Sequence, residues 1–465
     1  MSEPAPIAFV LFGATGDLAR RMVLPAFYTL AEEGLLPKGW CLIGNGRGDV
    51  SHLNFRSYVK GVLRKSGRKL DAKIWPAFEE RLYFAGGGFE TSDPGSLLDV
   101  IEKAGHHVGT DCQLVHYLAI PPSRFAEITR GLGEHGLAKG AHVVYEKPFG
   151  TSPADFRELD KIVHSVLDES QIYRIDHFLG KEATQNLHVL RFANGLFHAM
   201  WSAEHVRAVQ IDVPERLGVT DRAEFYDSTG AVLDMLVTHL FQVAAEVAME
   251  PPQSLAAEHL QAAREHVIRC FRPIDPKEVV LGQFDGYRDV EGIGKRSTMD
   301  TYVAARLWID NDRWRGVPFL LRTGKRLAQS HQRVSLILRE PKGPLTNLPE
   351  SGNVLSFELA GGGKIALRLV AKKPGAQLSL ERAEASIALA HLDGGDPLPP
   401  YVRLINDVLL GDRSLFTRPD GLAAVWTVSE PLLNARPRPK PYPQGSWGPA
   451  AAAKLAAPDG WLLGG

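Results

Sequence analysis

The sequence predicts an α/β domain on a doubly wound parallel sheet over residues 1–175, then an α+β domain over 176–465 with a large, mostly antiparallel sheet. Three observations support this. Short apolar runs alternate with helical patterns up to about residue 175. From about residue 205, period-two strand patterns separated by turn residues follow one another. The 465 residues allow two or three domains, at about 100–200 residues each.

In chain order, Ile7–Phe12 (IAFVLF) is apolar throughout and reads as a buried parallel strand. Asp17 to Glu33 reads as a helix, with Leu18, Met22, Ala26 and Leu30 recurring every four residues and Gly34 closing it. Pro25 kinks that helix or shifts its start. CLIGNG, QLVHYLAI (Gln113–Ile120, stopped by Pro121-Pro122) and AHVVYEKP (Ala141–Pro148) are further strands of the first sheet. In the second domain one helix starts near Lys181 and another surrounds His239. The strands there are HVRAVQIDV, YVAARLWI, FLLRT, RVSLILRE, NVLSFEL and KIALRLV. The Pro- and Gly-rich tail from Arg436 reads as irregular.

Bulk properties exclude several classes. A net charge of −1 lacks the basic excess of a nucleic-acid binder. Cys41, Cys112 and Cys270 are odd in number and far apart, so neither a disulfide framework nor a CxxC metal site is expected. A reducing cytoplasm fits this usage, and the apolar run near the N-terminus has no basic segment before it, unlike a signal peptide. No membrane span is expected, because the most apolar long stretch, AVLDMLVTHLFQVAAEVAME, carries Asp234, His239 and Glu246.

The turn after the first strand is FGATGDLARR. Gly13 and Gly16 permit a tight turn and close approach of backbone to a pyrophosphate, and the following helix N-terminus offers free N–H groups. The motif is GxxG followed by Asp-Leu instead of a full GxGxxG. It points to a Rossmann-like dinucleotide site, with Gly13, Thr15, Gly16, Asp17 and Leu18 as contacts. NAD-preferring sites end the second strand in a carboxylate that grips the ribose 2′-hydroxyl. Here that strand ends Gly44-Asn45-Gly46-Arg47, and an arginine suits a 2′-phosphate, so NADP is the expected cofactor.

Three further segments follow: EKPFG at 146–150, RIDHFLGKE at 174–182 and DMLVTHLFQ at 234–242. With GATGDLARR, in this order and at these separations, they resemble the glucose-6-phosphate dehydrogenase family from residue 7 to the SWGP near the C-terminus. The resemblance implies hydride transfer from C1 of glucose 6-phosphate to NADP, giving the lactone, without a metal. It makes His239 the general base, a role that suits imidazole, and Asp176 the carboxylate that orients it. His177 and Lys181 match the phosphate ligands; a helix beginning near His177 puts both on one face of its first turn. Lys147 lies between substrate and nicotinamide in the family, and Pro148 is a candidate cis residue beside it. Glu215 and Asp234 match carboxylates that accept from sugar hydroxyls, and Lys325, in RTGK, matches another substrate contact. Pairing through the large sheet into a homodimer or homotetramer is also implied.

The chain departs from the family pattern at three positions. Met22 stands where a lysine is usual, Phe178 where tyrosine is usual, and Ser330 where a second basic residue is usual. Arg21, Arg326 and Arg333 are the nearby replacements, and weaker binding of glucose 6-phosphate is expected. Two other readings compete with the leading one: a dehydrogenase for a different aldose or anionic hexose, and a non-catalytic sensor of sugar phosphate and NADP. Retention of both His239 and Asp176 argues against the sensor, since binding alone needs no base.

Overall fold

The computed structural model describes residues 5–48, 50–109, 112–345, 348–349, 352–389 and 397–464. Two compact units emerge. The first is built from residues 1–180, 255–261 and 398–419; the second from 181–254, 262–397 and 420–465. The boundary read from sequence, 175/176, lies a few residues before the Gly180/Lys181 division.

In the first unit, among the described residues, six parallel strands form one sheet: β1 (Ile7–Phe12), β2 (Trp40–Asn45), β3 (Leu82–Ala85), β4 (Gln113–Leu118), β5 (His142–Tyr145) and β6 (Ile172–Arg174). Their order is β3-β2-β1-β4-β5-β6, the doubly wound order, with its switch point between β1 and β4. β1 and β2 are buried along their whole length because helices cover both faces, which is why β1 reads as an unbroken apolar run and β2 is polar only at Asn45. The helical segment after β1 starts at Asp17, passes through a π-wound turn, Ala19–Val23, and continues as an α-helix, Leu24–Glu32. Pro25 sits in the first turn of the α-helical part, where its missing N–H costs nothing. Tyr401, Val402, Leu404 and Ile405 of the helix Pro400–Leu410 complete the core on this side and pack against Leu24–Glu32.

In the second unit, among the described residues, nine strands form a mostly antiparallel sheet: β7 (Val206–Pro214), β8 (Val279–Phe284), β9 (Tyr302–Leu307), β10 (Phe319–Gly324), β11 (Arg333–Leu338), β12 (Val354–Glu358), β13 (Lys364–Lys372), β14 (Leu380–Ala388) and β15 (Lys440–Tyr442). Their order is β14-β13-β12-β11-β7-β10-β9-β8-β15. Two pairs are parallel, β7 with β10 and β8 with β15. β15 corrects the expectation of an irregular tail: Lys440–Tyr442 pairs as an edge strand, a position that tolerates Pro441. The apolar stretch around His239 belongs to a helical run, Ala223–Ala248, long and apolar enough to cross a membrane by composition, but its apolar window is 83% buried inside the fold.

Near the end of that run lies a buried charge cluster. The Glu246 carboxylate accepts from His188 Nε2 and Arg264 Nε, and all three side chains are buried. Burial alone raises the Glu246 carboxyl, but Arg264 and His188 outweigh it and hold it down to about 2. An unfolded carboxyl titrates near its ordinary 4.5. The stabilisation from this shift is therefore complete above about pH 4.5 and is lost as pH falls toward 2, on the order of 3 kcal/mol in all. Chemical denaturation across that range is expected to show the stability gap between Glu246→Gln and the parent protein shrinking as pH falls; a constant gap contradicts the assignment.

Candidate active site

On the first unit the glycine turn sits at the switch point. Gly13 and Ala14 donate to the Asn45 carbonyl at 3.1 and 3.2 Å, and Gly16 donates to the Gly13 carbonyl at 2.8 Å. Gly13 has φ +72°, and a Cβ there meets the Ala119 carbonyl oxygen, just beyond β4, at 2.4 Å. Only glycine fits at that point of the crevice. Leu18 precedes the first π-wound turn and the Thr15 carbonyl accepts from Tyr58. Asp17 pairs with Arg20 at 2.8 Å and with Arg21 at 3.5 Å. These pairs are exposed and contribute little to stability. Arg47 is exposed just past β2, while the Asn45 amide is turned away to the Ala85 and Gly88 carbonyls. Among these described residues no carboxylate ends β2, which suits a 2′-phosphate.

Lys147 follows β5, and its bond to Pro148 is cis, as expected from the sequence. Beside it Glu146 is buried and accepts from the Tyr117 hydroxyl at 2.5 Å. Burial raises the Glu146 carboxyl, with Tyr117, Lys147 and Tyr401 partly offsetting it. Asp176 is buried beyond β6; its Oδ1 accepts from the Phe178 N–H at 2.9 Å and its carbonyl from the Leu179 N–H at 3.1 Å. That tight turn overturns one expectation. The helix begins at Glu182, not near His177, with Lys181 as its N-cap, so His177 and Lys181 do not share a first helical turn. His177 instead stacks on Tyr401 at 6.3 Å between ring centres.

On the second unit, the parallel register of β7 and β10 sets Pro214 opposite Gly324. The next residues, Glu215 and Lys325, leave the sheet side by side and form an ion pair. Lys325 also lies 5.5 Å from the centre of the Tyr226 ring. Lys181 donates to the Gln332 amide oxygen, just before β11. Tyr226, Gln332 and Tyr401 are the neighbours that sequence reasoning missed. No spacing signals them, because each is brought in by tertiary packing.

Asp234 and His239 are buried on a π-wound segment, Val232–Leu240. In an α-helix residues five apart point about 140° away from each other. The π winding closes its hydrogen bonds five residues apart and brings such a pair onto one side. Gly230 breaks the chain before this segment at φ +66°, and Asp300 accepts from the Val232 N–H at 2.8 Å to start it. A Cβ at Gly230 meets Met299 Sδ at 2.5 Å and Asp300 Oδ2 at 2.9 Å. Gly230→Ala is expected to cost about 2–4 kcal/mol, from the left-handed backbone and the overpacking together, with kcat falling in the folded fraction. Thermal unfolding and steady-state kinetics check this; an unchanged melting temperature rejects it.

Residues 10–186 match the family described as glucose-6-phosphate dehydrogenase, NAD binding domain, and residues 188–462 match its C-terminal domain. The chain belongs to the glucose-6-phosphate dehydrogenase family. It is 36% identical to the glucose-6-phosphate 1-dehydrogenase of Aggregatibacter actinomycetemcomitans, over 97% of this chain and 96% of that one. The crystal structure of the Mycobacterium avium glucose-6-phosphate 1-dehydrogenase superposes with a TM-score of 0.90 at 34% identity, covering 99% of both chains. A glucose-6-phosphate dehydrogenase solved in complex with glucose 6-phosphate superposes with a TM-score of 0.91 at 31% identity, covering both chains fully.

Within this family frame the substituted positions carry physical content. Met22 is exposed and Phe178 is buried. The Ser330 hydroxyl accepts from the Arg216 N–H at 2.9 Å. Of the nearby arginines, Arg21 faces Asp17, Arg333 lies 3.8 Å from Glu358, and the Arg326 guanidinium packs against Gly218.

Proposed function

We infer that the chain oxidises C1 of D-glucose 6-phosphate to 6-phospho-D-glucono-1,5-lactone with NADP. The observation that carries this reading is full-length membership of the family with the base candidate His239 retained, buried, on the π-wound helix beside Asp234. The glycine turn at Gly13, Thr15, Gly16, Asp17 and Leu18 holds the pyrophosphate, and Arg47 the 2′-phosphate. NADP, when bound, accepts the hydride that leaves C1.

The chain's own residues do the rest. His239 takes the proton from the C1 hydroxyl as the C1–H bond breaks and the C1=O bond forms. Asp176 holds the imidazole in the required tautomer and favours its cationic form. Lys147 donates to a substrate hydroxyl beside the nicotinamide. His177 and Lys181 bind the sugar phosphate, Lys325 makes another substrate contact, and Glu215 and Asp234 accept from ring hydroxyls. The Glu215–Lys325 pair presents a donor and an acceptor from two adjacent strand ends.

Following NADPH formation by its near-ultraviolet absorbance, with hexoses offered with and without the 6-phosphate, tests the reading. Glucose 6-phosphate is expected to be the best substrate, and absence of turnover rejects the assignment. A strong preference for NAD in the same assay removes the role of Arg47. Phe178→Tyr is expected to restore a phenol donor to phosphate worth about 1.5–3 kcal/mol. That corresponds to about a ten- to hundredfold lower KM for glucose 6-phosphate; an unchanged KM rejects the idea that Phe178 weakens binding.

A cytoplasmic homodimer or homotetramer paired through the large sheet completes the proposal. The odd number and wide spacing of Cys41, Cys112 and Cys270 support the compartment, and β14, exposed from Glu381 to Ile387, supports the pairing. Light scattering on the purified chain reads the oligomer directly.

A further inference from the structure

The second unit contains two helical segments that each carry a site residue at one end and a buried charged or polar partner about two turns further on. The first starts at its N-cap Lys181 and reaches His188 seven residues later. The second carries His239 and reaches Glu246 seven residues later. Seven residues span about 10 Å of helix axis, so each partner lies roughly two turns from its site residue. The two helices pack on each other, and a buried bond from His188 Nε2 to Glu246 Oε2 links their side chains. The other carboxylate oxygen, Oε1, is held by Arg264.

The end of the His239 helix is fixed as well. Arg191 donates to the Glu246 and Met249 carbonyls at 3.3 and 2.7 Å. Trp201 Nε1 donates to the Val247 carbonyl at 2.7 Å, and Trp314 Nε1 to the Ala248 carbonyl at 2.8 Å. These are carbonyls that a helix C-terminus leaves without intrahelical partners. Arg191 lies on the Lys181 helix itself, so its bonds to the Glu246 and Met249 carbonyls and the His188–Glu246 bond act together to hold the register of the two helices.

We propose that His188 and Glu246 are positioning residues that set the spacing between the base His239 and the phosphate-binding Lys181. This rests on the reading of those two residues given above. The pair touches neither substrate nor cofactor. Together with Arg191, it fixes the sliding register of two helices, so that a sugar phosphate held at Lys181 presents its C1 hydroxyl to the imidazole. A misplacement of about 1 Å between reacting groups costs on the order of a hundredfold in rate, so a modest slip is measurable.

Three variants of the full-length enzyme test this. His188→Leu removes the donor; His188→Gln keeps one at similar reach; His188→Asn keeps an amide too short to reach Glu246. His188→Leu is expected to raise KM for glucose 6-phosphate about tenfold and to lower kcat by a similar factor, with KM for NADP unchanged. His188→Gln is expected to recover most of both. His188→Asn behaves like His188→Leu and serves where the leucine variant does not fold. Parental KM and kcat in folded His188→Leu or His188→Asn, with only a lowered melting temperature, overturn the proposal and leave the pair a purely structural one. Failure of the unmodified protein to turn over glucose 6-phosphate is a separate outcome, and rejects the underlying reading of Lys181 and His239.

Discussion

His239→Asn is expected to lower kcat for glucose 6-phosphate oxidation by about 10²–10⁴-fold, the usual contribution of a positioned general base. The side chain is fully buried on the π-wound segment, and asparagine keeps its polarity and approximate size without a basic nitrogen. KM for NADP should stay near its parental value, because the glycine turn belongs to the other compact unit. The same substitution at Asp176 should cost less, since an orienting carboxylate assists the base without taking the substrate's proton. Stopped-flow or steady-state measurement of both variants decides the matter. A His239→Asn enzyme retaining more than about a tenth of the parental kcat removes the imidazole from the chemistry.

Gly13→Ala should abolish useful cofactor binding. The new Cβ would lie 2.4 Å from the Ala119 carbonyl oxygen, a backbone atom that cannot turn aside, and the residue holds φ +72°. The left-handed conformation alone costs about 1–2 kcal/mol for a residue with a Cβ. Relieving the clash moves the turn away from the switch point, so NADP affinity is expected to fall by a hundredfold or more, about 3 kcal/mol. Gly34→Ala is the control: its φ is +66°, but nothing lies within 4 Å of the added Cβ. It should lose stability only. Isothermal titration with NADP separates the two, and equal NADP affinity in both variants refutes the cradle role of Gly13.

The sequence made some elements readable and hid others for identifiable reasons. β1, β2, β4 and β5 announce themselves because strands buried in a parallel sheet are largely apolar. β3 and β6 span only four and three residues, LYFA and IYR, too short to show a period. β14 reads LERAEASIA and is almost wholly exposed, so no apolar alternation marks it. β15 carries Pro441, which argues against a strand everywhere except at an edge. At the site, the segments containing His239, Asp176 and Lys147 were legible through their motifs. The placement of Glu215 against Lys325 was not, because it follows from parallel pairing of strands more than a hundred residues apart. The helix start at Glu182 was also hidden: Asp176 closes a turn through its side chain, a local alternative to helix that aspartate often provides.

The make-up of the first unit bears on how the chain is made. Its hydrophobic core is closed by Tyr401, Val402, Leu404 and Ile405, which leave the ribosome only after most of the second unit has been synthesised. Domains usually mature in order as they emerge. Here the nucleotide-binding half must wait, with the outer face of its Leu24–Glu32 helix uncovered, until a late segment returns to it. A fragment ending at residue 180 would thus be a poor stand-in for the cofactor half, and nascent chains arrested before residue 398 are the species most in need of a chaperone.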